Sequence, residues 1–420
     1  MEKSSTRKKV ILALAIIIGS ALVARMVISV LYFNAFDTYW YRKWAYDLPN
    51  GLFSVYSRAS QIDLDYPPLY LFCLYLTGLA YRVFGIACSD GMQMFLMKFW
   101  PVIFDTLCVF AIYKVARKRG ETVALFAAAA WAVNPSAVFN SSFWGQTDGL
   151  MALMLIIAFM WAEDRPLLAC FMFALAGLTK YQSLFFAPVL LLFIFKRHGI
   201  KRLLEGVTAA ALTVIAVFLP FMIGAGNPLL FFDVYLGGAN TYQYCTFNAY
   251  NIYGLLGLNG VYDQTAVGGP ITYSHINAAL LVLTVAATAF LMLKTKRPNI
   301  YVGGLFIMQC IFMLSTRMHE RYQMVVLPMA LLAFITTRYY DFLWQFIALT
   351  AITLINQCVV LFNVNHGTFD GSLGSLMTVV SAINLLCFVH TVYACVKYFL
   401  KEEKHDLLKT APAYSSSAEE

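Results

Sequence analysis

Long apolar runs separated by short charged clusters constrain this chain more than any other feature. The run from Val10 to Tyr32 is long enough to cross the hydrocarbon core of a bilayer, which is about 30 Å thick. Similar runs recur as far as residue 398. Only 12% of the residues are charged, about half the usual share in a soluble domain. The sequence therefore predicts an all-α polytopic membrane protein.

We expect about twelve transmembrane helices. The first run is too long for a cleavable signal peptide, and no small-residue cleavage site follows it. A thirteenth helix is possible at 67–85, but a crossing there would move every later basic cluster to the other side. We therefore expect an interfacial or re-entrant helix at 67–85. The twelve predicted spans are approximately 10–32, 98–116, 122–139, 149–162, 166–179, 183–196, 203–224, 272–294, 300–315, 323–338, 341–362 and 375–398.

Basic residues predict the orientation, because Lys and Arg accumulate in cytoplasmic loops. Residues 225–271 and 363–374 contain no Lys or Arg and are expected outside. The formal net charge is +8, and the basic residues lie in clusters beside apolar runs. This arrangement indicates membrane topology and predicts no nucleic-acid partner. The predicted division is a cytoplasmic N-terminus at 1–9, a main membrane module at 10–340, further helices at 341–398 and a cytoplasmic tail at 399–420. The clusters expected inside are "KSSTRKK", "RKRG", "KRHGIKR", "KTKRP", Arg338 and "KEEKHDLLK".

Cysteine and histidine spacing indicates neither a disulfide framework nor a metal site. The nine cysteines are scattered singly, and several lie inside apolar runs. The segment "HERYQ" differs from the zinc motif HExxH because Gln323 replaces the second histidine. We predict no metal ligands, although the sequence leaves dependence on a divalent metal open.

Two acids occupy the first predicted outer loop. Asp37 follows the first span beside aromatic residues, where partial desolvation would raise the pKa and basicity of its carboxylate. An ordinary loop aspartate is the alternative. Asp65 and Tyr66 precede two prolines, which fix the backbone before the next helix. Asp65 is thus either a rigidly held substrate ligand or a helix-start device.

Polar residues interrupt later apolar runs on the same predicted side. In "WGQTDG", the Trp144 ring and Gln146 amide suit a sugar, whereas Asp148 could act in the site or serve as a helix N-cap. In "TKYQ", Lys180 precedes Gln182 and is either functional or snorkelling to the interface.

The segment "STRMHERYQ" concentrates charge where the orientation rule disfavours it. Arg317, His319, Glu320 and Arg321 lie within five positions, followed by Tyr322. Glu320 offsets one positive charge, and an anionic headgroup or phosphate would offset the rest. Accidental basic residues are the alternative. The loop 225–271, with Asn248 and Tyr250, suits carbohydrate or lipid headgroups but also an interfacial aromatic belt.

Together these segments resemble the GT-C glycosyltransferases, in particular bacterial relatives of the GPI mannosyltransferases. "YPPL" and the His-Glu-basic pattern are also similar to glucosyltransferases that extend dolichol-linked glycans. The similarity covers residues 10–340, and no motif identifies the sugar or the acceptor. The segments that carry it are Asp37, "DYPPLY", "WGQTD", "TKYQ", "NAYN" and "HERY".

The resemblance implies a GT-C-like helix bundle with its active site on the extracytoplasmic face of the cell membrane. It implies that Asp37 is the general base, that Asp148 helps shape the site, and that His319 and Arg321 hold a carrier phosphate. We expect Arg317 and Lys180 to assist at the phosphate. The implied partners are a polyprenyl-phosphate-sugar donor, a glycan or glycolipid acceptor and membrane lipid, with no cofactor required. Expected substrate contacts are Asp65, Tyr66, Trp144, Gln146, Gln182, Asn248, Tyr250, Glu320 and Tyr322.

The chemistry of the residues agrees with a transferase. A sugar phosphate carries its own leaving group, so one base for the acceptor hydroxyl and cations for the departing phosphate suffice. No glycine-rich loop between a strand and a helix indicates a nucleotide-sugar site. We predict an inverting hexosyltransferase, with mannose as the expected sugar. A transporter or flippase, with Arg25 and Asp105 as its buried polar residues, is the alternative, and a structural subunit of a glycan assembly complex is the third.

Overall fold

A computed structural model describes residues 2–32, 37–86, 91–365 and 374–400. The side chains at 2–6, 37, 239, 364 and 365 are outside this description, as are the basic cluster in the C-terminal tail and most of the predicted outer loop 363–374. Within the described ranges the protein is an all-α bundle with four short strands.

The α-helices and strands are numbered in chain order. The α-helices are α1 Glu2–Leu31, α2 Asp37–Asp47, α3 Ala59–Ile62, α4 Pro68–Phe84, α5 Gly91–Ala116, α6 Glu121–Ala132, α7 Pro135–Val138, α8 Asp148–Ala162, α9 Pro166–Thr179, α10 Ala187–Ala225, α11 Leu230–Asn240, α12 Ile252–Leu255, α13 Tyr273–Lys294, α14 Ile300–Leu314, α15 Val326–Thr337, α16 Tyr340–Asn365 and α17 Gly374–Leu400. The strands are β1 Thr246–Phe247, β2 Ala266–Gly268, β3 Ile271–Thr272 and β4 Met318–His319. Tighter 3-10 turns at Leu48–Asn50, Val55–Arg58, Arg117–Arg119, Tyr181–Phe186 and Tyr322–Val325 and a π-helix at Phe139–Trp144 join them.

Helices occupy every predicted span, but fewer are long enough to cross a membrane alone. Among the described residues, six helical stretches meet the length and apolarity required, and α6 with the segment Pro135–Trp144 forms a seventh that is bent by 47°. α8 has 15 residues, a length of about 22 Å, which is shorter than the hydrocarbon core. The α4 helix begins at Pro68, as the paired prolines predict. The count of about twelve spans stays a prediction.

Apolar surface on the outer helices indicates lipid contact. The segment Arg7–Leu31 has a mean hydropathy of 2.5, yet only 11% of its most apolar window is buried inside the protein. The segment Tyr181–Ala225 has a mean hydropathy of 2.2, and 17% of its most apolar part is buried inside the protein. A soluble monomer rarely exposes so much contiguous apolar surface, so these faces pack against the hydrocarbon of the bilayer.

Charged residues gather at one end of the bundle. Glu163, just after α8, lies 3.6 Å from Arg197 and 4.0 Å from Lys118. Lys196 donates to the last carbonyls of α13, and Arg119 donates to the Thr336 carbonyl near the end of α15. Two of the clusters that the sequence assigns to one face, "RKRG" and "KRHGIKR", therefore lie at one end of the molecule. The opposite end, where α8 begins and α9 ends, carries the polar motifs.

A buried ion pair holds the break between α6 and α7. Arg25 in α1 donates to Asp105 in α5 at 2.7 Å and to the Ala132 carbonyl at 2.8 Å. Asp105 also accepts hydrogen bonds from the Trp131 indole and the Ser141 hydroxyl, each at 3.0 Å. The last carbonyls of a helix lack intrahelical partners, and Arg25 supplies one. These two charges are internal structural contacts.

A smaller aromatic core holds the first loop against the bundle. Tyr41 and Trp44 of α2 pack with Tyr70 of α4, and Phe221 of α10 joins the same cluster. The Trp44 indole donates to the Ile62 carbonyl at 2.8 Å. This packing orients α2 and the segment after α3 over the polar end of the bundle.

Candidate active site

Two adjoining cavities occupy the polar end. The first, here called the polar cavity, has a volume of about 690 Å³ and is lined by residues that include Trp40, Tyr41, Asp65, Lys180, Arg321 and Tyr322. The second, the apolar cavity, has a volume of about 380 Å³ and is lined by residues that include Leu184, Phe185, Tyr235, Leu236, Leu281 and His319. Both cavities are bounded by Tyr181, Gln182, Gly238, Tyr242 and Tyr322. A ligand with a polar head and an apolar tail fits such a pair.

Hydrogen bonds among aromatic residues join the first loop to the "WGQTD" segment. The hydroxyls of Tyr41 and Tyr66 lie 2.7 Å apart, and Tyr41 donates to Gln146 Oε1 at 3.3 Å. Tyr56 donates to the Tyr66 carbonyl at 2.7 Å. Segments separated by about a hundred residues thus meet beside the polar cavity, which Tyr41 and Tyr66 line.

Asp37, the predicted base, is the first residue of α2, and its side chain lies outside the described residues. Its helix supplies Trp40 and Tyr41 to the polar cavity. Residues four apart lie on the same helix face, so the backbone of position 37 starts one turn before Tyr41.

Lys98 fixes the backbone at the end of α1 and just before Trp144. Its ammonium donates to the carbonyls of Ser29, Tyr32 and Phe143 at 3.2, 2.6 and 2.8 Å. The first two carbonyls belong to the end of α1, and the third precedes Trp144. Gly145 has φ +84° and packs so closely on Lys98 that a Cβ would lie 3.0 Å from Lys98 Cγ. Sequence reasoning missed this lysine, although a lysine inside an apolar run was the signal.

Asp148 and Lys180 form a buried ion pair. Lys180 donates to Asp148 Oδ1 at 2.6 Å, and Asn140 donates to Oδ2 at 3.0 Å. The side chains are 1% and 5% exposed for Asp148 and Lys180, respectively. The N-cap interpretation of Asp148 is wrong, because Thr147 occupies the N-cap position and Asp148 is the first residue of α8. Asp148 instead holds the lysine, which lines the polar cavity.

Arg321 is oriented by a carboxylate and by aromatic rings. Its guanidinium donates to Glu320 Oε1 at 2.6 Å. It also lies 5.8 Å from the ring centroids of both Trp144 and Tyr322, within the range of a cation–π interaction. Arg321 lines the polar cavity, where its planar set of donors suits a phosphate oxygen pair.

His319 is a neutral buried imidazole in the wall of the apolar cavity. Burial lowers its pKa well below the ordinary value, and the positive charges of Arg321 and Lys180 lower this pKa further. Within the described part of the chain, His319 Nε2 has no hydrogen-bond partner. Tyr242 and Tyr322 pack on the ring, with centroids 4.6 and 5.0 Å away. Buried polar atoms are normally satisfied, and Nε2 is an exception within the described residues.

Arg317 has an internal acid partner that the sequence did not suggest. Its Nε donates to Asp263 Oδ2 at 2.6 Å, and Asp263 is fully buried. This ion pair fastens the loop before α13 to the segment that carries His319. An anionic ligand is therefore not required to offset the charge of Arg317, although this residue lines the apolar cavity.

Asp65 is the cavity carboxylate with the most altered acidity. Burial raises its pKa to about 6, although Arg321 and Lys180 both act to lower it. A carboxylate with this pKa is more basic than an exposed one and is still mostly ionised at neutral pH. The sequence singled out Asp65 as a candidate, whereas its raised pKa follows from burial, which the sequence does not show.

The other residues predicted to contact the substrate do not line either cavity. Trp144, Gln146 and Glu320 are buried and contact cavity residues without being among the lining residues of the two cavities. Asn248 follows β1, which pairs with β4 in parallel, and forms a bridge to His319, and Tyr250 lies two residues further along the chain. Tyr250 is 1% exposed and is likewise outside the two linings. In the described ranges, no three His, Cys, Asp or Glu side chains are placed to hold a metal ion.

Comparison with known families identifies the class of protein. The model of glycosyltransferase family 87 matches residues 64–316, which is more than half of the chain. The chain therefore belongs to glycosyltransferase family 87 and to the GT-C superfamily of glycosyltransferases. The matched segment contains "DYPPLY", "WGQTD", "TKYQ" and "NAYN", whereas Asp37 and His319–Arg321 lie outside it. A comparison of the chain with curated proteins finds no match.

Proposed function

We propose that this glycosyltransferase moves a hexose, with mannose as the first candidate, from a polyprenyl-phosphate carrier to a hydroxyl of a glycan or glycolipid. The observation that carries the proposal is the junction of the polar cavity with the apolar cavity. A water-soluble nucleotide sugar would have no use for the second cavity. A lipid-linked sugar needs both, since its sugar is polar and its carrier is a hydrocarbon.

The carrier phosphate is proposed to bind where the two cavities meet. Arg321 and Lys180 line the polar cavity, and His319 lines the apolar one. The guanidinium and ammonium would stabilise the negative charge that develops as the phosphate leaves. The neutral imidazole would add a hydrogen bond through Nε2. In this role the carboxylates of Asp148 and Glu320 hold the cations in place.

The carrier tail is proposed to leave the apolar cavity towards the bilayer. Leu184 and Leu236 line this cavity and are also 44% and 62% exposed. We propose that this exposed surface faces lipid. A polyprenyl chain could extend past them without meeting water, which favours a lipid donor over a soluble one.

The proposed reaction is a single displacement. The acceptor hydroxyl oxygen attacks the anomeric carbon, the bond from that carbon to the phosphate oxygen breaks, and polyprenyl phosphate leaves with the electron pair. The hydroxyl proton goes to Asp37, the proposed base. Attack opposite the leaving group inverts the anomeric centre, as in other single displacements at this carbon. Asp65 and Tyr66 are proposed to hold sugar hydroxyls.

The cavities are proposed to face the extracytoplasmic side. The ion pairs of Glu163 with Arg197 and Lys118 mark the other end of the bundle, and basic residues favour the cytoplasmic side. Both termini would then be cytoplasmic. The transporter alternative drew on Arg25 and Asp105, whose hydrogen bonds are to groups within the protein, so it has no supporting observation.

A transfer assay tests the proposal. The purified protein in lipid nanodiscs would be given polyprenyl-phosphate-mannose, polyprenyl-phosphate-glucose or a nucleotide sugar, each with an extract of membrane glycolipids as acceptor. We expect one lipid-linked sugar to be consumed with release of polyprenyl phosphate, and an Asp37→Asn protein to be inactive. Consumption of only the nucleotide sugar would overturn the donor class. Full activity of the Asp37→Asn protein would overturn the assignment of Asp37 as the base, whereas a wild type that consumes none of the three donors would favour a structural subunit.

A further inference from the structure

The two C-terminal helices carry a buried amide network that ends at the site. The side chains of Asn356 in α16 and Asn384 in α17 are 1% and 0% exposed. Both helices lie beyond residue 316, where the family match ends. Buried amides in an apolar bundle are costly unless they are hydrogen bonded, so their partners indicate what they are for.

Asn356 forms two hydrogen bonds with the backbone of the "NAYN" segment. Its Nδ2 donates to the Asn248 carbonyl at 2.8 Å, and its Oδ1 accepts from the Tyr250 amide at 3.1 Å. Asn384 Nδ2 donates to the Tyr250 carbonyl at 2.7 Å. Two asparagines from different helices therefore hold three backbone groups of one short segment.

Backbone pairing connects the start of this segment to His319. Phe247 pairs with His319 in the parallel β1–β4 sheet, and Asn248 forms a bridge to His319 from the next position. Asn248 adopts φ +59°, a left-handed conformation that costs free energy and is kept only where surrounding contacts enforce it. The hydrogen bond from Asn356 to the Asn248 carbonyl is one of these contacts, and Asn259 supplies two more to the amide and side chain of Asn248.

Asn384 also reaches the other flank of the charged segment. Gln323 lies two residues after Arg321, and its Nε2 donates to Asn384 Oδ1 at 3.0 Å and to Gln309 Oε1 at 3.0 Å. The Thr353 hydroxyl donates to Gln323 Oε1 at 3.4 Å. The segment 319–321 is therefore held on its N-terminal side by the pairing of His319 with residues 247–248, and on its C-terminal side by Gln323. Asn384 contacts Gln323 and the Tyr250 carbonyl.

We infer that Asn356 and Asn384 are positioning residues that set the place of His319 and Arg321 at the donor phosphate. This inference deepens the proposed function and depends on it for the identity of the ligand. Neither asparagine touches the two cavities. They act through the backbone of 248–250 and through Gln323, which gives the helices 341–398 a role in the site.

The same two helices provide a matched control. Near their other ends, Thr391 donates to Gln345 Oε1 at 2.8 Å, and Gln345 Nε2 lies 2.7 Å from His390 Nδ1. Gln345 is 2% exposed and precedes Asn356 by eleven positions, a distance of about 16 Å along α16. Gln345→Leu removes buried hydrogen bonds between α16 and α17 without touching the segment 248–250.

The test compares Asn384→Leu, Asn356→Leu and Gln345→Leu in the full-length protein in nanodiscs. With the lipid-linked sugar that the wild type consumes, we expect the donor KM to rise about tenfold for each asparagine variant, in line with the loss of a buried hydrogen bond. The acceptor KM should change less, and Gln345→Leu should leave the donor KM unchanged. Asn384→Asp should recover part of the loss, because a buried carboxyl group stays protonated and can donate to the Tyr250 carbonyl while it accepts from Gln323.

Hydrogen exchange makes the test independent of transfer. The Tyr250 amide and the amides of 318–323 should exchange faster in both asparagine variants than in the wild type and in Gln345→Leu. Faster exchange in a protein without transferase activity would support the positioning of the segment and reject the proposed function. Equal changes in all three variants, or none in 248–250 and 318–323, would overturn the inference. If Asn384→Leu does not fold, Asn356→Leu decides the outcome.

Discussion

Two regions of the bundle bury oppositely charged side chains, and they do so in different ways. Around Arg25 and Asp105, the charges are taken up by each other, by the Trp131 indole and by backbone carbonyls. Around Lys180 and Arg321, the acids Asp148 and Glu320 hold cations that line a cavity. Beside them, His319 Nε2 has no partner among the described residues. Burial of charge is common to both regions, but the capacity to bind something further belongs to the second.

The comparison also separates stability from function. A buried pair with complete partners is costly to break, because the remaining charge stays in a medium of low polarity. A pair that lines a cavity can transfer part of its hydrogen bonding to a ligand. We therefore expect substitutions in the first region to affect folding and substitutions in the second to affect the donor.

The largest effect is expected from Asp37→Asn. Loss of the general base should lower kcat by a factor of about 10² to 10⁴, while the Tm and the affinity for polyprenyl phosphate stay near the wild-type values. Single-turnover transfer and thermal unfolding would be measured on the same preparation. A variant that loses Tm and activity together would assign Asp37 to the structural class of the Arg25 region.

Arg25→Met should have the largest effect on stability. An unpaired Asp105 would be left buried, at a cost of about 3 to 5 kcal/mol in the free energy of unfolding. The double variant Arg25→Met with Asp105→Leu should recover most of this loss, because no buried charge remains. Thermal unfolding in detergent tests both. If the single variant unfolded like the wild type and lost donor binding instead, the division between the two regions would fail.

Arg321→Ala and His319→Ala should weaken donor binding before they affect folding. A hydrogen bond between charged partners contributes about 1.5 to 3 kcal/mol, so we expect the donor KM to rise by a factor of about 10 to 100 for Arg321→Ala. The neutral imidazole should contribute less, with a rise of about tenfold or below. An unchanged donor KM in both variants would remove the phosphate role.

The smallest predicted effect is a pH dependence that comes from Asp65. Its pKa of about 6 means that kcat/KM should decline as the pH falls below this value, because the protonated acid accepts fewer hydrogen bonds from a sugar. Asp65→Asn should lower kcat/KM and remove this acidic limb. An identical limb in the Asp65→Asn protein would assign the limb to another group.

The contribution of Asp65 to the stability of the folded protein has the opposite dependence on pH. The pKa of Asp65 is raised in the folded state from an ordinary value of 3.8, so the folded protein binds this proton more tightly than the unfolded chain does. The contribution of Asp65 to stability is therefore fully present below the unfolded value and is lost as the pH rises through about 6. A stability profile of the wild type against Asp65→Asn would show this difference.

The sequence predicted the helices well because apolar runs and charged breaks are local signals. Pro67 and Pro68 correctly indicated the start of α4. The number of membrane crossings is less accessible, because α8 and α9 are apolar but short, with 15 and 14 residues. Their composition alone does not distinguish a full span from an internal helix.

Two of the predicted segments reach one cavity, but the contacts among them could not be predicted from the sequence. "TKYQ" and "HERY" both proved to reach the polar cavity. The pairing of Lys180 with Asp148, 32 positions earlier, depends on the antiparallel course of α8 and α9. The neutral state of His319 depends on burial. Asn356 and Asn384 were visible as amides inside apolar runs, which is the signal that could have drawn attention to them.

The central claim, that the two cavities together hold a lipid-linked sugar, is tested most directly by crosslinking. Polyprenyl phosphate with a photoreactive group in its first isoprene units would be illuminated with the protein in nanodiscs, and labelled peptides would be identified by mass spectrometry. We predict labels around Leu236 and Leu281, and weaker labelling in Arg321→Ala. Labels confined to the outer surfaces of α1 and α17, unchanged by Arg321→Ala, would contradict the account.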